Sequence, residues 1–360
     1  MTGAIDDAHV TTVGTAPTTQ AAQRIDSLDF FRGICALMVA AYHYRLWSEM
    51  SVVQPIDGLL AFCGTYGVSM FFILSGFSLA HAYFKDFSKA VTGPKIVRYF
   101  RRRIGRLVPL FAAITVLSVL GRHLTGGDDV DGWVAVANAV LLFGFFDPAK
   151  TPVIGGWSIG IEVVFYLILP IMLLLHKHVR IFLAVSVFLT AWISYDLAQH
   201  SSLANGWSVY VAPANHFVFF AMGVAGGLIN DRLRPTSGRW VSIWCAAMVG
   251  LVSIMATGAT ELEVVTEWRR VALASISFAT VMVISTWHVD PAASKFCRSL
   301  GGLSYPMYLL HPLVFFAAAA VVQINTIQIW GLLVLCTLLA IAVDRLFEQP
   351  LQRIVRRSGW

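Results

Sequence analysis

The sequence predicts an all-α polytopic integral membrane protein of about ten transmembrane helices. Three observations predict it. Of the 360 residues, 57% are hydrophobic and 13% are charged, with a mean hydropathy of +0.71; soluble domains lie nearer about 45–50% apolar and about 25% charged. Apolar runs of about 20 residues, the length that crosses a bilayer, recur along the chain. Basic residues alternate with those runs rather than spreading evenly.

Taken in order, the candidate spans cover about 28–48, 59–84, 104–122, 155–175, 180–197, 208–230, 240–259, 268–288, 303–323 and 327–346. A further apolar piece, Trp133 to Phe146, is only about 14 residues long and suits a re-entrant or interfacial segment. With the N-terminus inside, the connection after the second span carries Lys85, Lys89, Lys95, Arg98, Arg101, Arg102, Arg103 and Arg106 on the cytoplasmic side. The other inner connections hold Lys177 and Arg180; Arg232, Arg234 and Arg239; and Lys295 and Arg298. Counting Trp133–Phe146 as a full span would place those later basic loops outside, against the positive-inside rule. Both termini are therefore expected in the cytoplasm. Residues 1–24, polar and without a basic n-region, read as a disordered cytoplasmic tail, 25–352 as one membrane domain, and 353–360 as a basic cytoplasmic tail.

The formal charge of +6 does not point to nucleic acid, because its position is explained by the loops. The five cysteines, Cys35, Cys63, Cys245, Cys297 and Cys336, show neither metal-ligand spacing nor a disulfide framework, so no metal is expected. The ten histidines are scattered, without the H-x-x-x-H clusters of an iron-dependent desaturase. Trp47, Trp157, Trp207, Trp268 and Trp330 fall near the expected outer boundary as an aromatic belt, with sugar stacking open to one or two of them.

Ionisable residues inside spans are costly and mark candidate sites. In "FFRGICALMVAAYHYR", Arg32 and His43 are eleven residues apart, about three turns and about 16 Å, and share one face. Arg32 lies near the inner boundary and His43 near the outer one. A snorkelling arginine and a hydrogen-bonded core histidine are the structural alternatives. Glu162, in "GGWSIGIEVVFYLILP", is expected about 10 Å below an outer surface taken at Gly155, level with His43, where a carboxylate would orient the imidazole as a general base. "GGLSYPMYLLHPLVF" supplies Ser304, Tyr305, Tyr308 and His311, with Tyr308 and His311 on one face. In "FFILSGFSLAHAY", Ser75-Gly76 reads as a close-packing point that could also admit a narrow substituent. "RYFRRRIGRLVP" brings Arg103 and Arg106 to the inner edge, either as a lipid anchor or as a clamp for phosphates.

Together these stretches resemble the type-3 membrane acyltransferases over nearly the whole chain. The arginine–ten residues–histidine spacing of Arg32 and His43 is the most specific marker. "GVSMFFILSGFSLA", the arginine pair of "RRRIGRLVP", "WSIGIEVVFYLILP", "LGGLSYPMYLLHPLV" and the closing "FEQP" follow in order. The resemblance implies a bacterial inner-membrane O-acyltransferase of the stand-alone type, without a fused hydrolase-like domain. It implies acyl-CoA, most often acetyl-CoA, as a co-substrate rather than a resident cofactor. The acceptor would be a hydroxyl of a surface glycan, a lipid-linked saccharide or a glycosylated small molecule. His43 would serve transfer, with Glu162 in support. Arg32, Arg103 and Arg106 would serve the donor, and Ser75, Tyr305 and His311 are assigned to the same donor path. Direct transfer and an acyl-His43 intermediate are both open. The rival class is a proton-coupled transporter or flippase using the same Arg, His and Glu residues; the two related halves common in transporters are not detectable here.

Overall fold

The computed structural model describes residues 24–357; most of the expected N-terminal tail, and residues 358–360 of the C-terminal one, lie outside that range. The described chain is helical, with one isolated bridge between Thr236 and Trp287. Its helices are α1 (Asp26–Trp47), α2 (Ile56–Phe87), α3 (Gly93–Leu124), α4 (Gly132–Ala139), α5 (Phe143–Phe146), α6 (Gly156–Leu174), α7 (Val179–Leu197), α8 (Trp207–Tyr210), α9 (Pro213–Ile229), α10 (Gly238–Ala256), α11 (Glu261–Val264), α12 (Glu267–Ser285), α13 (Pro291–Ala319), α14 (Thr326–Val343) and α15 (Gln349–Arg357). A π-helical turn, Asp344–Glu348, joins the last two.

Nine helical stretches among the described residues are long and apolar enough to cross a membrane. Helix α1, the first expected span, is not one of them, although its 22 residues suffice in length. Asp26, Asp29, Arg32 and Arg45 dilute its apolarity. It packs along α2 and α13 instead, and those two neighbours shield its polar face. Each of the ten expected spans thus corresponds to a helix. The ends differ most in α3 and α13, which begin well before the apolar run does. The arginine segment 98–106 is therefore helical, and so are Lys295 and Arg298, which were expected in a loop. Arg298 Nε lies 2.6 Å from Asp26 Oδ1 and ties the start of α13 to the start of α1.

The short apolar piece breaks as its length requires. Asp131 caps α4 by accepting from the Trp133 and Val134 N–H groups, a normal use of a short carboxylate at a helix start. Leu141 then takes a positive φ of 62° and ends the run. Helix α5 crosses α6 at two glycines: a Cβ on Gly144 would lie 2.1 Å from the Gly160 carbonyl oxygen. The second turn of α6 is thereby covered, and Gly156, Trp157 and Ser158 ahead of it are buried as well.

Small residues also set the centre of the bundle. A Cβ on Gly76 would meet the Phe220 carbonyl oxygen at 2.3 Å, and one on Gly223 would meet that of Ile73 at 2.1 Å. Backbones of α2 and α9 therefore touch, which is how membrane helices gain dispersion energy when lipid supplies no hydrophobic drive. Around this seam lie Phe77, Phe219, Phe220, Ile73 and Leu74, all fully buried.

Candidate active site

The outer layer of the site is a pair of histidines on α1 and α13. His43 Nδ1 lies 2.9 Å from the Val39 carbonyl oxygen, one turn back in its own helix. A carbonyl only accepts, so Nδ1 carries the hydrogen and Nε2 keeps its lone pair. His311 Nε2 lies 3.2 Å from the same Nδ1, so the one N–H is shared between the Val39 carbonyl and the His311 nitrogen. His311 is 1% exposed. Trp47 covers both rings, stacked on His43 at 4.9 Å between centroids and on His311 at 5.8 Å and 9°. Helical spacing makes this possible, since Trp47 follows His43 by four residues. Tyr42 OH donates to Glu261 Oε1 at 2.9 Å, which joins this end of α1 to α11.

One turn further in, Tyr308 OH donates to the Gly155 carbonyl at 3.0 Å and lies 2.9 Å from Ser158 Oγ. Gly155, at φ +77°, starts α6 at this depth. A non-glycine residue would be strained there, and its Cβ would press on the Tyr308 ring.

The inner layer surrounds Ser75 on α2. Arg32 Nη2 donates to the Leu74 carbonyl at 2.9 Å and to Ser78 Oγ at 3.0 Å. Its Nη1 lies 3.7 Å from Asp29 Oδ1. Ser75 Oγ donates to Glu162 Oε1 at 2.5 Å, and Tyr166 OH donates to the same oxygen at 2.8 Å. Glu162 is therefore at the level of Arg32, whose partners Leu74 and Ser78 stand on either side of Ser75 in α2. The sequence expectation that it pairs with His43 is corrected. Its depth was counted from Gly155 as if that residue lay at the surface, but Gly155 already sits beside Tyr308, one turn below the level of His311 on α13. Seven more residues carry Glu162 about 10 Å further inward.

Towards the inner edge, Arg103 lies over the Tyr83 ring at 5.3 Å and donates to its hydroxyl at 3.2 Å. Its Nε is buried without a partner. Tyr99 packs edge-on against Tyr83 at 4.9 Å and donates to the Tyr166 carbonyl at 3.1 Å. Arg106 lines a recess of about 10 Å³ with Glu348 and Gln352. Tyr305 OH donates to the Leu107 carbonyl at 2.6 Å, so it braces α3 against α13. His311, assigned with the donor residues from sequence, lies beside His43 in the outer pair. Tyr83 and Tyr166 were not singled out from sequence; Trp47 was expected only in the aromatic belt, and Glu348 only within the closing FEQP. Tyr166 stands four residues after Glu162, a spacing that could have found it. Among the described residues, no group of three or more His, Cys, Asp or Glu side chains could hold a metal.

A bundle of membrane-length helices, with a histidine pair at one end and half-buried arginines towards the other, defines a multi-pass membrane protein. Comparison with known proteins then gives the class. The model of the type-3 acyltransferase family, described as an acyltransferase domain, matches residues 25–345. The chain belongs to that family and is a membrane acyltransferase. It is similar to Nodulation protein 10 of Rhizobium leguminosarum bv. viciae, 24% identical over 91% of this chain and 94% of the relative. It is also similar to Acyltransferase MdmB of Streptomyces mycarofaciens, 26% identical over 81% of this chain and 79% of the relative. A shorter match is to Peptidoglycan O-acetyltransferase OatA of Listeria monocytogenes, 27% identical over 42% of this chain and 24% of the relative. No solved structure matches.

Proposed function

We propose that the protein moves an acyl group, acetyl above all, from cytoplasmic acyl-CoA to a sugar hydroxyl, in the inner membrane of a bacterium. The observation that carries the transfer step is the His43 Nδ1 bond to the Val39 carbonyl, because it leaves Nε2 as the free base. Nε2 takes the proton of the acceptor hydroxyl as its oxygen attacks the thioester carbonyl. The C–S bond breaks, and the departing CoA thiolate recovers a proton from the His43 imidazolium. His311, accepting from the Nδ1–H, holds the ring in place and favours the charged state.

The donor enters from the inner edge. Its phosphates meet Arg103 and Arg106, since guanidinium groups bind phosphate oxygens in pairs. Its narrow arm passes Ser75, Glu162 and Arg32 on the way to His43. Glu162 balances the cations of this layer and orders Tyr166 and Ser75. The similarity to a protein named as a peptidoglycan O-acetyltransferase supports a carbohydrate acceptor and an acetyl donor.

The test uses the full-length protein in liposomes with radiolabelled acetyl-CoA and a glycan extract, comparing wild type with His43→Ala. Label in glycan from wild type alone is expected. Equal label from both proteins overturns the role of His43. Label from neither, in the presence of demonstrable acetyl-CoA binding, overturns the sugar acceptor.

A further inference from the structure

A groove of about 470 Å³ runs between α7 and α12, with α9 as its floor. It has no part in the site described above. Its walls include Val187, Met222 and Val271, with Gln199, Glu267 and Arg270 at one end. Val187 and Val271 are exposed on helices long and apolar enough to span, so the groove opens sideways into lipid. From Gln199 to Val187 is about 18 Å along the helix, about the depth of one leaflet of hydrocarbon. The polar end belongs to the membrane half that holds His43. Arg270 Nη1 donates to the Val265 carbonyl at 3.1 Å, directly after α11, and α11 carries the Glu261 that Tyr42 reaches.

Arg270 is the unusual element. It is 4% exposed, yet its bonds go to neutral acceptors: the Val265 carbonyl, and the Asn215 carbonyl and Oδ1 at 2.8 Å each. Its Nε is buried without a partner. Among the described residues Arg270 has no carboxylate within ion-pair distance, and Glu267, one turn earlier on the same helix, has no cation within it. A buried cation without a counter-ion is costly at membrane depth. A single phosphate would relieve it, but a purely anionic headgroup would also meet the Glu267 carboxylate.

We propose that this groove binds one aminophospholipid of the phosphatidylethanolamine type. Its phosphate meets Arg270, its ammonium meets Glu267, and one acyl chain lies along Val187, Met222 and Val271. A glycerol headgroup offers Glu267 no cation, and a quaternary ammonium offers it no hydrogen-bond donor. The lipid would also brace the site, because Asn215 donates to the Tyr210 carbonyl at 2.7 Å, Tyr210 packs on Trp157, and the next residue, Ser158, meets Tyr308.

The experiment takes the full-length protein from bilayers of equimolar phosphatidylethanolamine and phosphatidylglycerol and weighs the retained lipid by native mass spectrometry. Wild type is expected to retain the ethanolamine lipid about tenfold over the glycerol lipid, the value of one charge-assisted contact. Glu267→Gln should bring the two to parity. Ala191→Trp, which fills the groove from an exposed position on α7, should lose both while unfolding at the wild-type temperature. Equal retention of the two lipids by wild type, an unchanged preference in Glu267→Gln, or undiminished retention in a folded Ala191→Trp would overturn the proposal. Lipid retention is read without any acyl transfer, so its failure is separate from failure of the proposed reaction.

Discussion

His311 Nε2 stands 3.2 Å from His43 Nδ1, across the contact between α13 and α1, and both rings lie against Trp47. The partner of His43 is thus a second histidine and not a carboxylate. A neutral ring that accepts from Nδ1–H fixes the tautomer without bringing a buried anion to the proposed transfer point. Where a carboxylate would lower the energy of the imidazolium strongly, a histidine does so weakly, and it can take a proton itself.

The first prediction separates this role from donor binding. His311→Ala should lower kcat by about tenfold to a hundredfold, the lower range for a group supporting a general base, with little change in KM for acyl-CoA. Steady-state kinetics in liposomes provide the measurement. A raised KM at constant kcat would instead return His311 to the donor path.

Glu162 lies in the other layer. Glu162→Gln keeps the shape but removes the charge that accepts from Ser75 and Tyr166 and balances Arg32. It should therefore raise KM for the donor several-fold, while the rate at which diethylpyrocarbonate modifies His43 stays at the wild-type value. A changed modification rate would mean that the carboxylate acts on the imidazole after all.

The distance between these expectations and the linear sequence has a physical origin. Arg32 and His43 lie on one helix, so their spacing alone placed them on one face. The helical frame was equally legible, because membrane spans are written in local composition. His311 and His43 are 268 residues apart, and nothing local joins them; the pair exists because α13 runs beside α1. The depth of Glu162 was misread for a similar reason. Counting residues requires a surface from which to start, and the contact that sets Gly155 beside Tyr308 is a tertiary feature. The burial of Arg270 against Asn215 likewise leaves no trace in its own segment.

The arginines of α3 give a third prediction. Arg103 is held against Tyr83 with its Nε unpartnered, and Arg106 borders the Glu348 recess. Each charge-assisted contact to a phosphate is worth about 1.5–3 kcal/mol. Arg103→Gln and Arg106→Gln should each weaken acyl-CoA binding by about tenfold to a hundredfold, as measured by isothermal titration calorimetry with a non-hydrolysable thioether analogue. Loss of phosphate groups from the ligand should then cost the variants less than it costs wild type. Equal losses in variant and wild type would assign both arginines to lipid.

The seam between α2 and α9 gives the last prediction. Gly76 follows Ser75, so the close approach that lets the Phe220 carbonyl lie 2.3 Å from an added Cβ also fixes where Ser75 meets Glu162. Gly76→Ala has no flexible side chain to displace; the backbone of α9 must retreat. Overpacking of this kind costs about 1–3 kcal/mol. The variant should unfold at a lower temperature in detergent and show a raised KM for the donor, because Ser75 moves with the helix. Gly331 on α14, where an added Cβ meets nothing within 4 Å, is the matched control: Gly331→Ala should leave both quantities unchanged. If Gly76→Ala behaves like that control, the two helices are looser than the glycines require, and the position of Ser75 owes nothing to the seam.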